Sequence, residues 1–378
     1  MNFAIRGGAV ALALLVTGIA PTAESVIERW HLNSFWESET MHGESLFFLE
    51  PEAGALATAP LLFAPIEIKS LVHTPTGATF EQGKDYTVDV EKQTITLTAD
   101  SAIPFTTRAD FEPPLGKTGQ RYKDDTRDIF FAGGPLFHNL QVEITYTHAA
   151  DAWTALGGPQ PKPTEHLPAF REKLAAKAPV TICLLGDSIS AGLDASSTSD
   201  TAPLTPPYGT LFSRALEERF GSPVSYTNYS VSGMATPWGI EQAPAVAEKK
   251  PDLVIIAFGM NDASGRMTPE QYGANTVAMM EAVRAIHPAT SFVLVATMLG
   301  NDDWIHAASA LYPQYRDTLL TLEGPGVAVA DMTTLWTTLL EHKRFADITG
   351  NGVNHPNDFG HRAYAQTLLA LFGNNPTE

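Results

Sequence analysis

One cysteine, Cys183, stands in a chain of 378 residues. No intramolecular disulfide can form, so the fold must be held by its core alone. Cys183 lies inside the apolar run Val180-Thr-Ile-Cys-Leu-Leu185 and reads as a buried, inert thiol rather than a nucleophile. Basic residues are also scarce: 24 Lys and Arg against 42 Asp and Glu leave a formal charge of -18. That balance excludes nucleic acid and anionic membrane as the main partner, because both would repel the chain. Long hydrophobic runs are missing as well. The apolar residues 9–16, behind Arg6, are too short to span a bilayer. With the small residues through Ala20 and Ala23 they read as an export signal over residues 1–23. The expectation is a secreted or periplasmic protein with no stable membrane insertion once the signal is removed. There is no internal repeat and no low-complexity tract.

What is present falls into two styles. Residues 24–153 are rich in short alternating runs: 46–49, 61–63, 66–72, 85–90, 94–98 and 140–146. Tyr86, Val88 and Val90 alternate with polar residues, as do Ile95 and Leu97, which is the pattern of a β-hairpin. Short strands broken by turn residues predict a smaller all-β domain of sandwich or jelly-roll type. Residues 105–134 dissolve into charged, Pro- and Gly-rich sequence and read as a long loop. Residues 154–178 read as a linker, stiff at the prolines of Gly157-Gly-Pro-Gln-Pro-Lys-Pro-Thr164. From 179 to 378 near-continuous apolar strands (180–185, 253–258, 292–296, 327–330) alternate with helical stretches (208–220, 269–286, 308–322, 333–342, 359–371). Strands buried on both faces with crossover helices predict an α/β domain built on a doubly wound parallel sheet. Ligands of such sheets bind beyond the carboxyl ends of the strands.

Four motifs fall at that edge. Gly186-Asp-Ser188 ends the first strand, Ser232-Gly233 follows the strand-like run 224–230, Gly259-Met-Asn261-Asp262 follows the next strand, and His355-Pro356 precedes the last helix. By itself Gly-Asp-Ser could be a helix cap; the company of a glycine, an asparagine and a late histidine makes acyl transfer the stronger reading. The set resembles the GDSL/SGNH hydrolase family of serine esterases, in particular secreted carbohydrate esterases with a leading β-domain. The resemblance covers about residues 179–373 and implies a flavodoxin-like sheet. It also implies Ser188 as nucleophile, His355 as base, and an oxyanion hole made by Ser188 N–H, Gly233 N–H and the Asn261 amide. It implies no cofactor and no metal. His355, Asp358 and His361 could pass for metal ligands, but Asn357 or Asp358 reads better as the cap of the last helix. His361 then lies on that helix's surface or in a packing contact.

One departure is visible. The family usually carries an aspartate three residues before the histidine, and here that position is Gly352. The expectation is a Ser–His dyad with a backbone carbonyl holding His355 Nδ1, because a carbonyl can fix the tautomer. Asp347 and Asp302 (or Asp303) are the alternatives for a third member. Asp187 reads as bracing the loop. Trp238 and Trp304 are candidates for stacking on sugar rings. No loop reads as a broad apolar groove for an acyl chain. Together these readings predict an exported carboxylic ester hydrolase, a probable acetylesterase, acting on an acetylated carbohydrate. The alternatives are a lipid or thioester hydrolase of the same family and a non-catalytic carbohydrate-binding relative.

Overall fold

The computed structural model describes residues 25–373. The export signal expected over residues 1–23 therefore lies outside the described residues. Seven strands precede residue 150: β1 (Thr40–Phe47), β2 (Thr58–Pro60), β3 (Glu67–His73), β4 (Ala78–Thr79), β5 (Tyr86–Asp89), β6 (Thr94–Leu97) and β7 (Gln141–Thr147). They form two sheets, a four-stranded one ordered β1-β7-β3-β4 and a three-stranded one ordered β2-β6-β5. All their pairings are antiparallel, and the expected hairpin is the pair Tyr86↔Leu97, Val88↔Ile95. Leu61 to Phe63 form no strand; they are buried in an irregular turn instead.

Five further strands, β8 (Val180–Gly186), β9 (Val224–Asn228), β10 (Leu253–Ala257), β11 (Ser291–Ala296) and β12 (Val327–Asp331), make a second architecture. They pair in parallel in the order β12-β11-β10-β8-β9. This is the flavodoxin-like order, which reverses direction between β8 and β10. The runs Leu253–Ala257 and Ser291–Ala296 are buried at every position, as strands covered by helices on both faces must be. The helices Tyr208–Phe220 and Pro269–Ile286 match the expected spans. A helix over Thr236–Ala247 was not expected, because Pro237 and Pro244 punctuate it. Pro237 sits in its first turn, where a missing N–H costs nothing.

The two sets of sheets stay separate, but their apolar core does not. Leu46, Ile144 and Trp153 belong to the same buried cluster as Leu184, Ile255 and Trp336. The reading of 154–178 as linker needs correction in its second half. Helix Pro168–Ala175 buries Phe170 and Leu174, so apolar side chains there are core and not tether. Across the seam, Lys343 donates to Glu44, both side chains being fully buried. Glu44 also accepts from Leu62 N at 2.9 Å and from the Tyr146 hydroxyl at 2.5 Å. A buried ion pair is tolerable only when its remaining lone pairs are met in this way.

Candidate active site

The switch point between β8 and β10 collects the sequence motifs. β8 runs into Gly186, where a Cβ would lie 2.5 Å from Ala257 O, so only glycine lets β10 approach. Asp187 then caps the short helix Ser188–Ala191, its Oδ1 accepting from Ile189 N at 3.0 Å. Burial, reinforced by the charge of Asp262, pushes the Asp187 carboxyl up to about 7. Its role is structural bracing. Cys183, on the same strand, is buried and its thiol is pushed up to about 11 by burial.

Ser188 opens that helix, where backbone N–H groups lack intrahelical partners. Its Oγ lies 3.0 Å from His355 Nε2. Gly233 follows β9 on one side of β8; it is exposed, with φ +80°, a conformation L side chains rarely adopt. Asn261 follows β10 on the other side and donates from Nδ2 to Met234 O at 2.9 Å. A primary amide has two N–H donors, so the second is left for another acceptor. The sheet order thus sets Gly233 and Asn261 on the two strands that flank the serine's own.

His355 sits in a turn tied by Asn351, whose Oδ1 accepts from Val353 N, Asn354 N and His355 N at 2.9, 3.0 and 3.2 Å. Its Nδ1 does not meet a main-chain oxygen. It lies 2.7 Å from Asp194 Oδ2. The expected dyad is therefore corrected: a carboxylate stands where the carbonyl was expected. An ionised carboxylate only accepts, so Nδ1 carries the proton and Nε2 is free to accept from Ser188.

Neither alternative supplies that carboxylate. Asp347 is fully buried 2.9 Å from Phe47 N and 2.7 Å from Arg344 N. Asp302 pairs at the surface with Lys123 Nζ at 2.6 Å, which holds its carboxyl below the usual range, and also accepts from Ser309. Asp303 is exposed, and its main-chain oxygen accepts from Lys123 N. Asp194 was not among the expected partners, which lay in the histidine's own loop (Asp347) or after β11 (Asp302 and Asp303); it stands 161 residues from His355. One signal existed: Asp194 is the one charged residue between Asp187 and Asp200.

The glycines of Gly350-Asn-Gly352 follow from the same arrangement. A Cβ on Gly350 would lie 2.6 Å from Asp194 Cβ, and one on Gly352 would lie 2.3 Å from Phe130 O. No aspartate can occupy position 352, because the backbone of the N-terminal loop fills its space. That loop also reaches the acid directly, with Gly134 N donating to Asp194 Oδ1 at 3.4 Å. Behind the histidine turn, Gln141 Nε2 donates to Ala346 O and Thr349 O, both at 2.8 Å. Asn357, the cap of helix Asp358–Ala370, donates to Ser45 Oγ at 2.9 Å.

The remaining candidates are engaged elsewhere. Asp358 accepts from Ser196 N at 2.8 Å. His361 is a packing contact and not a surface residue: it is fully buried, donates to Leu193 O at 3.3 Å and is pushed down to about 4 by burial. Trp238 is half-buried with its ring 6.4 Å from Phe258, edge to face. Trp304 is half-buried and donates to Gln120 Oε1 at 2.9 Å.

Residues 184–363, which span the serine, both flanking donors, the acid and the histidine, match the GDSL-like Lipase/Acylhydrolase family. The chain carries a GDSL-like lipase/acylhydrolase domain. Its curated relatives are esterases. Esterase TesA of Pseudomonas aeruginosa is 35% identical over 106 residues, which is 28% of this chain and 49% of that protein. Arylesterase of Vibrio mimicus is 31% identical over 111 residues, or 29% of this chain and 52% of that protein. The chain thus spans about half the length of the curated relatives it matches. Among solved structures, a two-domain esterase active on acetylated mannans is similar at 21% identity. That match covers 57% of this chain and 55% of the other with a TM-score of 0.46.

Proposed function

We propose that this GDSL-like domain is a serine carboxylic ester hydrolase that removes O-acetyl groups from a carbohydrate. The observation that carries the chemistry is the relay Ser188 Oγ–His355 Nε2–Asp194 Oδ2, with contacts of 3.0 and 2.7 Å. A serine hydroxyl is a poor nucleophile until a base takes its proton. His355 accepts that proton as Ser188 Oγ bonds to the ester carbon, and Asp194 stabilises the imidazolium. Ser188 N–H, Gly233 N–H and the open Asn261 amide N–H face the oxygen that gains charge; each such donor is worth roughly 3–4 kcal/mol. His355 returns the proton to the departing sugar oxygen, leaving an acetyl-serine. A water, deprotonated by His355, then adds to that carbonyl, and His355 returns the proton to Ser188 Oγ as acetate leaves.

Support for a sugar substrate comes from the expected export, from Trp238 in the first turn of helix Thr236–Ala247 and Trp304 in the loop after β11, and from the leading β-domain. A second reading, a hydrolase of longer acyl chains, has one observation in its favour. Contrary to the expectation from sequence, the N-terminal loop does form an apolar recess, lined in part by Phe105, Phe131, Leu136 and Leu140 and about 620 Å³ in volume. It lies close in sequence to Gly134, which touches Asp194. The deciding experiment measures acetate released from acetylated polysaccharides beside hydrolysis of acetyl and long-chain nitrophenyl esters, with Ser188→Ala as control. The proposal expects acetate release and a preference for the acetyl ester, both abolished in Ser188→Ala. A preference for long acyl chains would replace the first reading with the second, and a variant as active as wild type would remove Ser188 from the mechanism.

A further inference from the structure

The long N-terminal loop and the turns after β11 and after Arg344 enclose a cavity of about 360 Å³, within the ~300–1,000 Å³ range of small-molecule sites. Three guanidinium groups, Arg108, Arg127 and Arg344, line it with three carboxylates, Glu112, Asp128 and Asp303. Its wall therefore carries no net charge but offers both donors and acceptors. Glu112 is shared between Arg108 and Arg127, and Arg344 holds Asp347 at 3.1 Å. Between these polar groups stand aromatic faces. Phe111 and Phe130 stack with ring centres 5.7 Å apart, and the Arg127 guanidinium lies 4.2 Å over the Tyr122 ring.

That mixture selects a chemical class. A net charge on the ligand would find no opposite excess in the wall. An alkyl chain would strip water from the partly exposed Arg108, Arg127, Arg344, Glu112 and Asp303 without replacing it. A neutral sugar ring has apolar C–H faces for aromatic rings and hydroxyls that both give and accept hydrogen bonds. The cavity also adjoins the candidate site. Gly352 and Asn301 line it, and Asn301 fastens the histidine turn through Nδ2 to Gly352 O and through N to Val353 O, both at 2.8 Å. We propose that this cavity binds a neutral sugar ring of the acylated carbohydrate, away from the ester that is cleaved. The N-terminal domain then takes part in choosing the substrate. This rests on the carbohydrate reading above.

The test uses the full chain with Arg108→Ala and Tyr122→Ala, neither of which touches Ser188, His355 or Asp194. Acetylated di- to hexasaccharides and 4-nitrophenyl acetate are compared, with melting temperatures as a check on folding. The side chain of Arg108 is 40% exposed, so its truncation should leave the fold intact. The proposal expects kcat/KM for the longer saccharides to fall about tenfold, mainly through KM, as lost uniform binding does. Hydrolysis of 4-nitrophenyl acetate should stay within about twofold, and the gain in kcat/KM with saccharide length should flatten. A parallel fall on both substrates would overturn the proposal, since the cavity would then support the histidine turn and not the ligand. Saccharide hydrolysis unchanged in both variants would also overturn it while leaving the carbohydrate reading intact. Wild-type cleavage of 4-nitrophenyl acetate with no acetylated saccharide hydrolysed would remove that reading and the subsite with it.

Discussion

Ser188, Gly233 and Asn261 each follow a strand of one parallel sheet, whereas Asp194 meets the N-terminal loop through Gly134 and the turn of His355 is fastened by Gln141 of β7. On the serine side, the crossover topology alone brings three motifs to one edge. On the histidine side, nothing local does so. The turn of residues 349–356 is fastened by Gln141, by Asn301 and, through Asn357, by Ser45. The carboxylate at His355 Nδ1 comes from 161 residues away. The contrast teaches that the N-terminal region fastens the turn that carries His355 and touches Asp194, whereas Ser188, Gly233 and Asn261 are set by the parallel sheet.

The sharpest way to break this comparison is at the acid. Asp194→Asn should lower kcat by about 10⁴, because an amide can hold the imidazole in the wrong tautomer. Asp302→Asn and its wild-type parent should differ little. Steady-state kinetics on 4-nitrophenyl acetate settles it, and a kcat for Asp194→Asn within tenfold of wild type would return the dyad to favour.

A smaller effect is expected from the clasp. Gln141→Leu leaves Ala346 O and Thr349 O without their buried donor, which costs roughly 1–3 kcal/mol per group. The melting temperature should drop by several degrees and kcat by about tenfold, with KM for 4-nitrophenyl acetate nearly constant. If stability falls and kcat does not, the N-terminal sheets merely support the fold.

The smallest effect lies on the serine side, at Asp187. Its carboxyl is pushed up to about 7 in the folded protein, mainly by burial. The native state therefore keeps a proton that the unfolded chain loses at lower pH. Stability from this group is full below the ordinary carboxylate value and is lost as pH rises through about 7. Asp187→Asn retains a capping oxygen and removes the titration. Its melting temperature should decline less than that of wild type between about pH 5 and pH 8. Parallel curves for the two proteins would show that Asp187 is ionised throughout.

Legibility in the sequence follows the same division. Alternation in Tyr86 and Val88 against Ile95 and Leu97 marked the hairpin, although Val90 falls past β5 and is exposed, and the apolar runs of β10 and β11 marked strands covered on both faces. The helix over Thr236–Ala247 was hidden by its prolines. The helix Pro168–Ala175 was hidden by a linker-like neighbourhood, although Phe170 and Leu174 are buried. Gly352 was recognised as a departure, but its cause was out of reach: the carbonyl of Phe130, 222 positions earlier, occupies the space a side chain would need.

From the chain alone came the α/β architecture, the leading β-rich region, and Ser188, Gly233, Asn261 and His355 as site candidates in their order. Each of these is written in short-range periodicity or in a motif that a strand end must expose. Only the tertiary structure decided which carboxylate meets His355, how the two halves share one core, and where a cavity forms between them. Those outcomes depend on contacts between residues far apart in the chain. Asp187, Asp194, Asp302 and Asp347 are chemically the same side chain. The fold distinguishes them by burying one beside a helix start, aiming one at an imidazole, leaving one to a surface lysine and spending one on the backbone of β1.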